Sequence, residues 1–257
     1  MIKDIDRSEY VFTDEDFDTF SVSNATIPSY EDINIKRRRE AVQQKLLEIN
    51  IEINQWIVKS GYDHLYNHPK EKNITSAVYP NPHNNMKVDW MAVRYGRNPK
   101  DIEIINNKEN FGMNKSFEDS DFGFLRFSCF QVGLTKDGVD IGLCHSIPND
   151  SLDRGYTHDK IKNDPQFIDK LINVIKKLQG YGYVWTSGSE EFAFDYREAE
   201  EFPDWYSRND SLHTYSFLTV HIPKWDKRIT KENIAETSCD IIDQLYELYE
   251  LTRYEMR

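Results

Sequence analysis

The chain has 257 residues, 39% hydrophobic and 13% aromatic, with 44 Asp and Glu against 32 Lys and Arg and a formal net charge of −12. That length and apolar content exclude a disordered chain and allow a sizeable core. The acidic field argues against a nonspecific nucleic-acid binder, which must neutralise phosphates with Lys and Arg.

The first predicted element lies in the acidic, aromatic start. Thr13 followed by Asp16 fits a capping box, with Phe12, Phe17 and Phe20 able to pin one helical turn to the body. A long helix is predicted over residues 31 to 60. Ile35, Val42, Leu46, Ile49, Ile53, Trp56 and Ile57 fall on one face, and Gly61 fits the position just past the C-cap. Lys36-Arg37-Arg38-Arg39 near its start opposes the helix dipole, so it reads as a solvated charged turn or as a contact for an anion or acidic partner.

Residues 62 to 85 read as loop. They hold His64, His68 and His83, whose spacing fits no helical His pair and which no cysteine joins, so no metal site is assigned. Residues 86 to 95 alternate as a strand: Val88, Trp90, Ala92 and Arg94 share one face, Asp89, Met91, Val93 and Tyr95 the other. Residues of about 98 to 121 read as a polar insertion loop.

Phe122 to Ile147 is predicted as a hairpin turning at Lys136-Asp137-Gly138, because Asp-Gly between apolar runs supplies the positive φ of a twist-matched turn. Cys129 and Cys144 then fall on neighbouring strands as small buried thiols. With Cys239 they make an odd count of three, which suggests no disulfide framework. Arg126 and Gln131 interrupt a strand apolar on both faces, and buried polar groups need partners or a ligand.

A second helix is predicted from Pro165 to Gln179, with Asp164 as N-cap. A strand follows at residues 181 to 186, ending at Ser187-Gly188-Ser189. An acidic-aromatic loop of about 187 to 210 leads to a strand over 212 to 222 and a final helix over 231 to 254 capped by Thr230. The order predicts one α+β domain over 1 to 257, an antiparallel-rich sheet with three long helices packed on it. No run approaches the roughly 20 apolar residues of a membrane span and the amino terminus lacks an apolar signal core, so a cytoplasmic protein without membrane contact is expected.

Several segments carry a resemblance. Phe12-Thr13-x-x-Asp16-Phe17-x-x-Phe20, the Arg-rich opening Arg37 to Glu40, Trp90-x-Ala92-Val93, Phe130-Gln131-Val132-Gly133-Leu134, Tyr183-Val184-Trp185 and Leu245-Tyr246-x-Leu248-Tyr249 occur in that order. Together they resemble the YktB-like family of small uncharacterised bacterial proteins. The resemblance implies a compact α+β fold with an antiparallel sheet, and it brings no activity and no catalytic residues.

No catalytic constellation stands out. There is no phosphate-binding glycine loop before a helix and no Gly-x-Ser-x-Gly elbow, so no catalytic residue, metal or cofactor is assigned. The leading expectation is a non-enzymatic protein that binds a small polar, nucleotide-like or anionic ligand, or nucleic acid, on a sheet surface. Its residues are Trp90, Arg94, Tyr95, Arg97, Arg126, Gln131, His145 and Trp185, because aromatic faces beside guanidinium groups suit a base or an anion. A second expectation is an acidic protein-binding or inhibitory protein, a nucleic-acid mimic, docking a partner through Phe192, Phe194, Tyr196, Phe202 and Trp205. A third is a metal-dependent hydrolase using Asp101 and Glu103, or Glu190, Glu191 and Asp195.

Overall fold

A computed structural model describes residues 5–62, 64–68, 86–108, 127–145, 151–210 and 214–255. Seven strands form one wholly antiparallel sheet: β1 Leu65–His68, β2 Trp90–Arg97, β3 Cys129–Thr135, β4 Gly138–Cys144, β5 Val184–Ser187, β6 Glu190–Ala193 and β7 Ser216–Pro223. Their order across the sheet is β1-β2-β3-β4-β7-β5-β6, so the last strand in the chain is inserted beside β4 and carries the β5–β6 hairpin on its far side.

The described helices are α1 Asp14–Asp18, α2 Val22–Ala25, α3 Ile33–Lys59, α4 Pro99–Lys108, α5 Leu152–Asn163, α6 Pro165–Leu178, α7 Phe202–Asn209 and α8 Ile234–Thr252. Three of them cover one face of the sheet. Helix α8 lies against β3 and β4, with α3 beside it over β2 and α6 on its other flank. Each long helix has a legible start or stop. Asp32 accepts bonds from the Asn34 and Ile35 amides at the start of α3, and Gly61 beyond its end has φ 77°. Asp164 caps α6 through the Phe167 amide, with Pro165 in the first turn. Phe167, Leu171, Val174, Ile175 and Leu178 bury the inner stripe of α6, each contributing about 1.5–3 kcal/mol by leaving water. The capping box of Thr13 and Asp16 forms as the sequence predicts.

Four expectations are corrected. The turn at Lys136-Asp137-Gly138 is real, but none of the three residues has a positive φ. The glycine serves another purpose: a Cβ at Gly138 would collide with the Ile222 carbonyl of β7. The polar excursion from 98 opens with helix α4, whose signal is Asn98 capping the Asp101 amide ahead of Pro99. The charged opening of α3 is only partly solvated, since Arg39 is fully buried and donates to the Asn24 and Ala25 carbonyls and to Ser29 Oγ. The last helix starts at Ile234 after Asn233, not at Thr230. Among the described residues no helix is long and apolar enough to cross a membrane.

Candidate functional site

Directly paired residues in a sheet point to the same side, so the register sorts the expected site residues. The helix-covered face receives Met91, Val93, Tyr95 and Arg97 from β2, Phe130, Val132 and Leu134 from β3, and Trp185 from β5. The other face receives Trp90, Ala92 and Arg94, then Gln131, Gly133 and Thr135, then Asp140 and Gly142, then Phe217, Thr219 and His221. The eight residues expected to share one surface therefore divide. Trp90, Arg94 and Gln131 lie on this second face. Tyr95, Arg97, Trp185 and His145 are buried on the helix side, and Arg126 lies outside the described residues. His83 does too.

The second face holds a hollow of about 590 Å³. Its floor is low at Gly133, which adds no side chain between Ala92 on β2 and Asp140 on β4. Gly142, opposite Gln131, is required by the close approach of β7, since a Cβ there would stand 2.7 Å from the Thr219 Cα and closer still to the Leu218 carbonyl oxygen. Gly133 has more room, with a Cβ meeting the Ala92 methyl at 3.3 Å. Phe20, Val22 and Ala25, from α2 and the turn before it, wall one side. Beyond the hollow, Ile102 of α4 packs with Phe217 on the Cys129–Cys144 pair.

The polar groups of the hollow are specific. Asp140 Oδ1 and His221 Nδ1 lie 2.7 Å apart across β4 and β7. The guanidinium carbon of Arg94 sits 5.0 Å from the Trp90 ring centroid, so the indole leans along its strand toward Arg94. Gln131, opposite Arg94, lines the hollow, is only 6% exposed, and its Oε1 has no hydrogen-bond partner. Around them two lysines, Lys87 and Lys136, meet three aspartates, Asp89, Asp137 and Asp140.

The helix side holds a second polar constellation that hydrophobic periodicity does not reveal. Asp153 accepts from the Ser128 amide at 2.6 Å, the Tyr254 amide at 2.7 Å and Arg97 Nη2 at 3.2 Å. One residue on, Arg154 donates to Asp210 through Nε and Nη2, both at 3.1 Å, and to the Thr214 carbonyl at 2.6 Å. His158 Nε2 also lies 3.1 Å from Asp210. Burial pushes the Asp210 carboxyl up, but the His158 bond and the Arg154 charge outweigh it and hold the group below the usual carboxylate range. His145 is sandwiched between the Tyr206 hydroxyl, 3.1 Å from Nδ1, and Thr157, 3.5 Å from Nε2. Burial, helped by Arg154 and His158, drops its pKa to about 3 against the opposing pull of Asp210. Trp185 donates to Ser216 Oγ at 2.8 Å beside it. With its acids and bases paired and buried, this cluster ties the ends of β2, β4 and β7 to α5 and the carboxy-terminal segment.

The aromatic strip expected to dock a partner is mostly core. Phe192, Phe194 and Phe202 are fully buried and Trp205 nearly so, while Tyr196 stands 90% exposed. Asp195 accepts from the Gly180 and Gly182 amides, Asp101 sits beside Asn98, and His64 is bonded to Tyr246. Among the described residues no three His, Cys, Asp or Glu side chains gather as a metal site would require. No family model and no curated protein matches the chain.

Proposed function

We propose that the chain is a binding protein of YktB-like type whose small polar ligand occupies the hollow on the second sheet face, with no chemistry performed there. The observation that carries this reading is a hollow of about 590 Å³ over the bare position Gly133, lined by the Trp90 indole and the Asp140–His221 pair. A volume in that range suits a small molecule, and such sites combine apolar walls with a few placed polar groups. Lys87, Lys136 and the neighbouring Arg94 are matched by Asp89, Asp137 and Asp140, which favours a neutral polar ligand over an anion, and Arg97, turned away toward Asp153, is not available to one. Three cysteines that remain free thiols fit a reducing, cytoplasmic setting.

The reading is tested by ligand-observed NMR on the full chain against nucleosides, nucleotides, amino acids, sugars and inorganic phosphate. A binder should be lost in Gly133→Val, which fills the floor, and weakened in Trp90→Ala, with near-UV circular dichroism confirming that each variant is folded. Binding that survives Gly133→Val places the ligand elsewhere.

A further inference from the structure

We infer that the ligand of the hollow is a nucleobase bearing an exocyclic amine, of the adenine or cytosine type, read by the side-chain amide of Gln131. This rests on the reading of the hollow as a ligand site. Gln131 is 6% exposed, lines the hollow, and leaves Oε1 without a partner. A buried acceptor left unpaired is costly, whereas one that receives a donor is not. A ligand that brings an N–H or O–H to that oxygen, as the amide turns toward the hollow, removes this cost.

The shape of the group narrows the choice. A glutamine amide is planar and holds its acceptor and its N–H donors side by side. Its complement is a flat edge with a donor next to an acceptor, which is what adenine offers through its amine and ring nitrogen, and what glutamine pairs with in nucleic-acid readout. Cytosine offers the same order on its amine and N3. Oε1 is sealed from solvent as the side chain stands, so the amide turns toward the hollow to take the amine on Oε1 and give an Nε2 hydrogen to the ring nitrogen. The flanking groups agree with a flat ring: Arg94 and Trp90 are already stacked at 5.0 Å beside Gln131, and arginine and indole planes are the surfaces on which bases stack. Across the floor, the Asp140–His221 pair and the Thr219 hydroxyl line the hollow, positioned to meet the sugar. With Lys87, Lys136 and Arg94 matched by Asp89, Asp137 and Asp140, the site carries no excess positive charge for a phosphate.

Isothermal titration of the full chain with adenosine, cytidine, purine riboside, inosine, uridine, AMP and inorganic phosphate tests this. Adenosine or cytidine should bind about 10- to 100-fold more tightly than purine riboside, which lacks the amine, since a bidentate base contact discriminates by about that factor. AMP should gain nothing over adenosine, and phosphate alone should not bind. Gln131→Leu should erase the preference for the amine while leaving the melting temperature at or above that of the wild type, because it removes an unpaired buried acceptor. Inosine or uridine binding as tightly as adenosine or cytidine, equal binding of purine riboside, or an unchanged preference in Gln131→Leu overturns the inference. If none of these compounds binds but another small polar molecule does and Gly133→Val removes it, the inference falls and the hollow remains a binding site. If nothing binds, both fall.

Discussion

Arg154 and Asp210 face each other through two parallel hydrogen bonds of 3.1 Å, with both side chains wholly withdrawn from solvent. They join α5 to the segment that follows α7, so one guanidinium fixes two elements 56 residues apart in the chain. Removing Asp210 takes from Arg154 the carboxylate that pairs with it, and removing Arg154 leaves the buried Asp210 carboxylate with His158 in place of the guanidinium. Asp210→Asn and Arg154→Met should each lower stability by about 3–5 kcal/mol, and Arg154→Met combined with Asp210→Leu should recover much of that loss. Urea midpoints of the two single variants and the double variant check it; a double variant no better than the singles refutes the pairing as the cause.

His145 makes stability depend on pH in a stated direction. Its folded pKa, about 3, is below the ordinary value of 6.5, so the unfolded chain takes up a proton first as pH falls. The contribution is intact above about pH 6.5 and is lost as pH falls from there toward 3, with a slope of up to about 1.4 kcal/mol per pH unit. Asp210 acts in the same direction but further down, below the usual carboxylate range. Chemical denaturation at pH 7.5, 6.5 and 5.5 should show the wild type weakening over that interval, and His145→Gln, whatever its starting stability, should show a flatter profile there.

Two glycines predict opposite signs. Gly142→Ala drives a methyl into the β7 backbone and should cost about 3 kcal/mol. Gly155 lies inside α5 with nothing within 4 Å of a built Cβ, and Gly155→Ala should stabilise by about 0.5–1 kcal/mol because alanine loses less backbone freedom in a helix. Thermal melts of the two variants, one shifted down and one shifted up, are the check.

Arg39→Lys tests whether the buried guanidinium of α3 works through geometry or through charge. Its fork reaches the Asn24 and Ala25 carbonyls and Ser29 Oγ together, and a lysine's single ammonium does not span three such acceptors. A loss of about 1–3 kcal/mol in the urea midpoint is expected; an unchanged midpoint shows that charge alone suffices.

The sequence made visible those parts of the fold that are coded by apolar spacing or by caps. Helices α3 and α6 and the β3–β4 hairpin are apolar at regular intervals; the helix boundaries fall within a few residues of expectation, whereas β3 starts only at Cys129 and the outer ends of the expected 122 to 147 hairpin lie partly outside the described residues. Helix α5 is silent to the same reading because its buried face is Asp153, Arg154, Thr157 and Ile161, three of them polar; only Ser151 as N-cap announces it. The Phe192, Phe202 and Trp205 rings, set among carboxylates, look like surface until β6 and α7 fold them inward. For the site, alternation along β2 correctly separates Trp90 and Arg94 from Tyr95. What alternation within single strands does not reveal is that Trp185 pairs into the sheet on the side opposite Trp90, because that depends on β7 entering between β4 and β5. Gln131 was legible as a polar residue in an apolar strand, and that same mismatch is what leaves its oxygen unpaired.

The insertion of β7 has a consequence for how the molecule is made. On a ribosome, β4 emerges about 75 residues before the strand that pairs with it, and until Pro223 is released the first half of the sheet ends in a raw row of amides and carbonyls while the β5–β6 hairpin has nothing to hang on. Such late, distant closure slows folding, and open strand edges invite pairing between nascent chains. Recovery of natively folded product from cells should therefore improve when translation is slowed or chaperones are abundant, without any change in the finished protein.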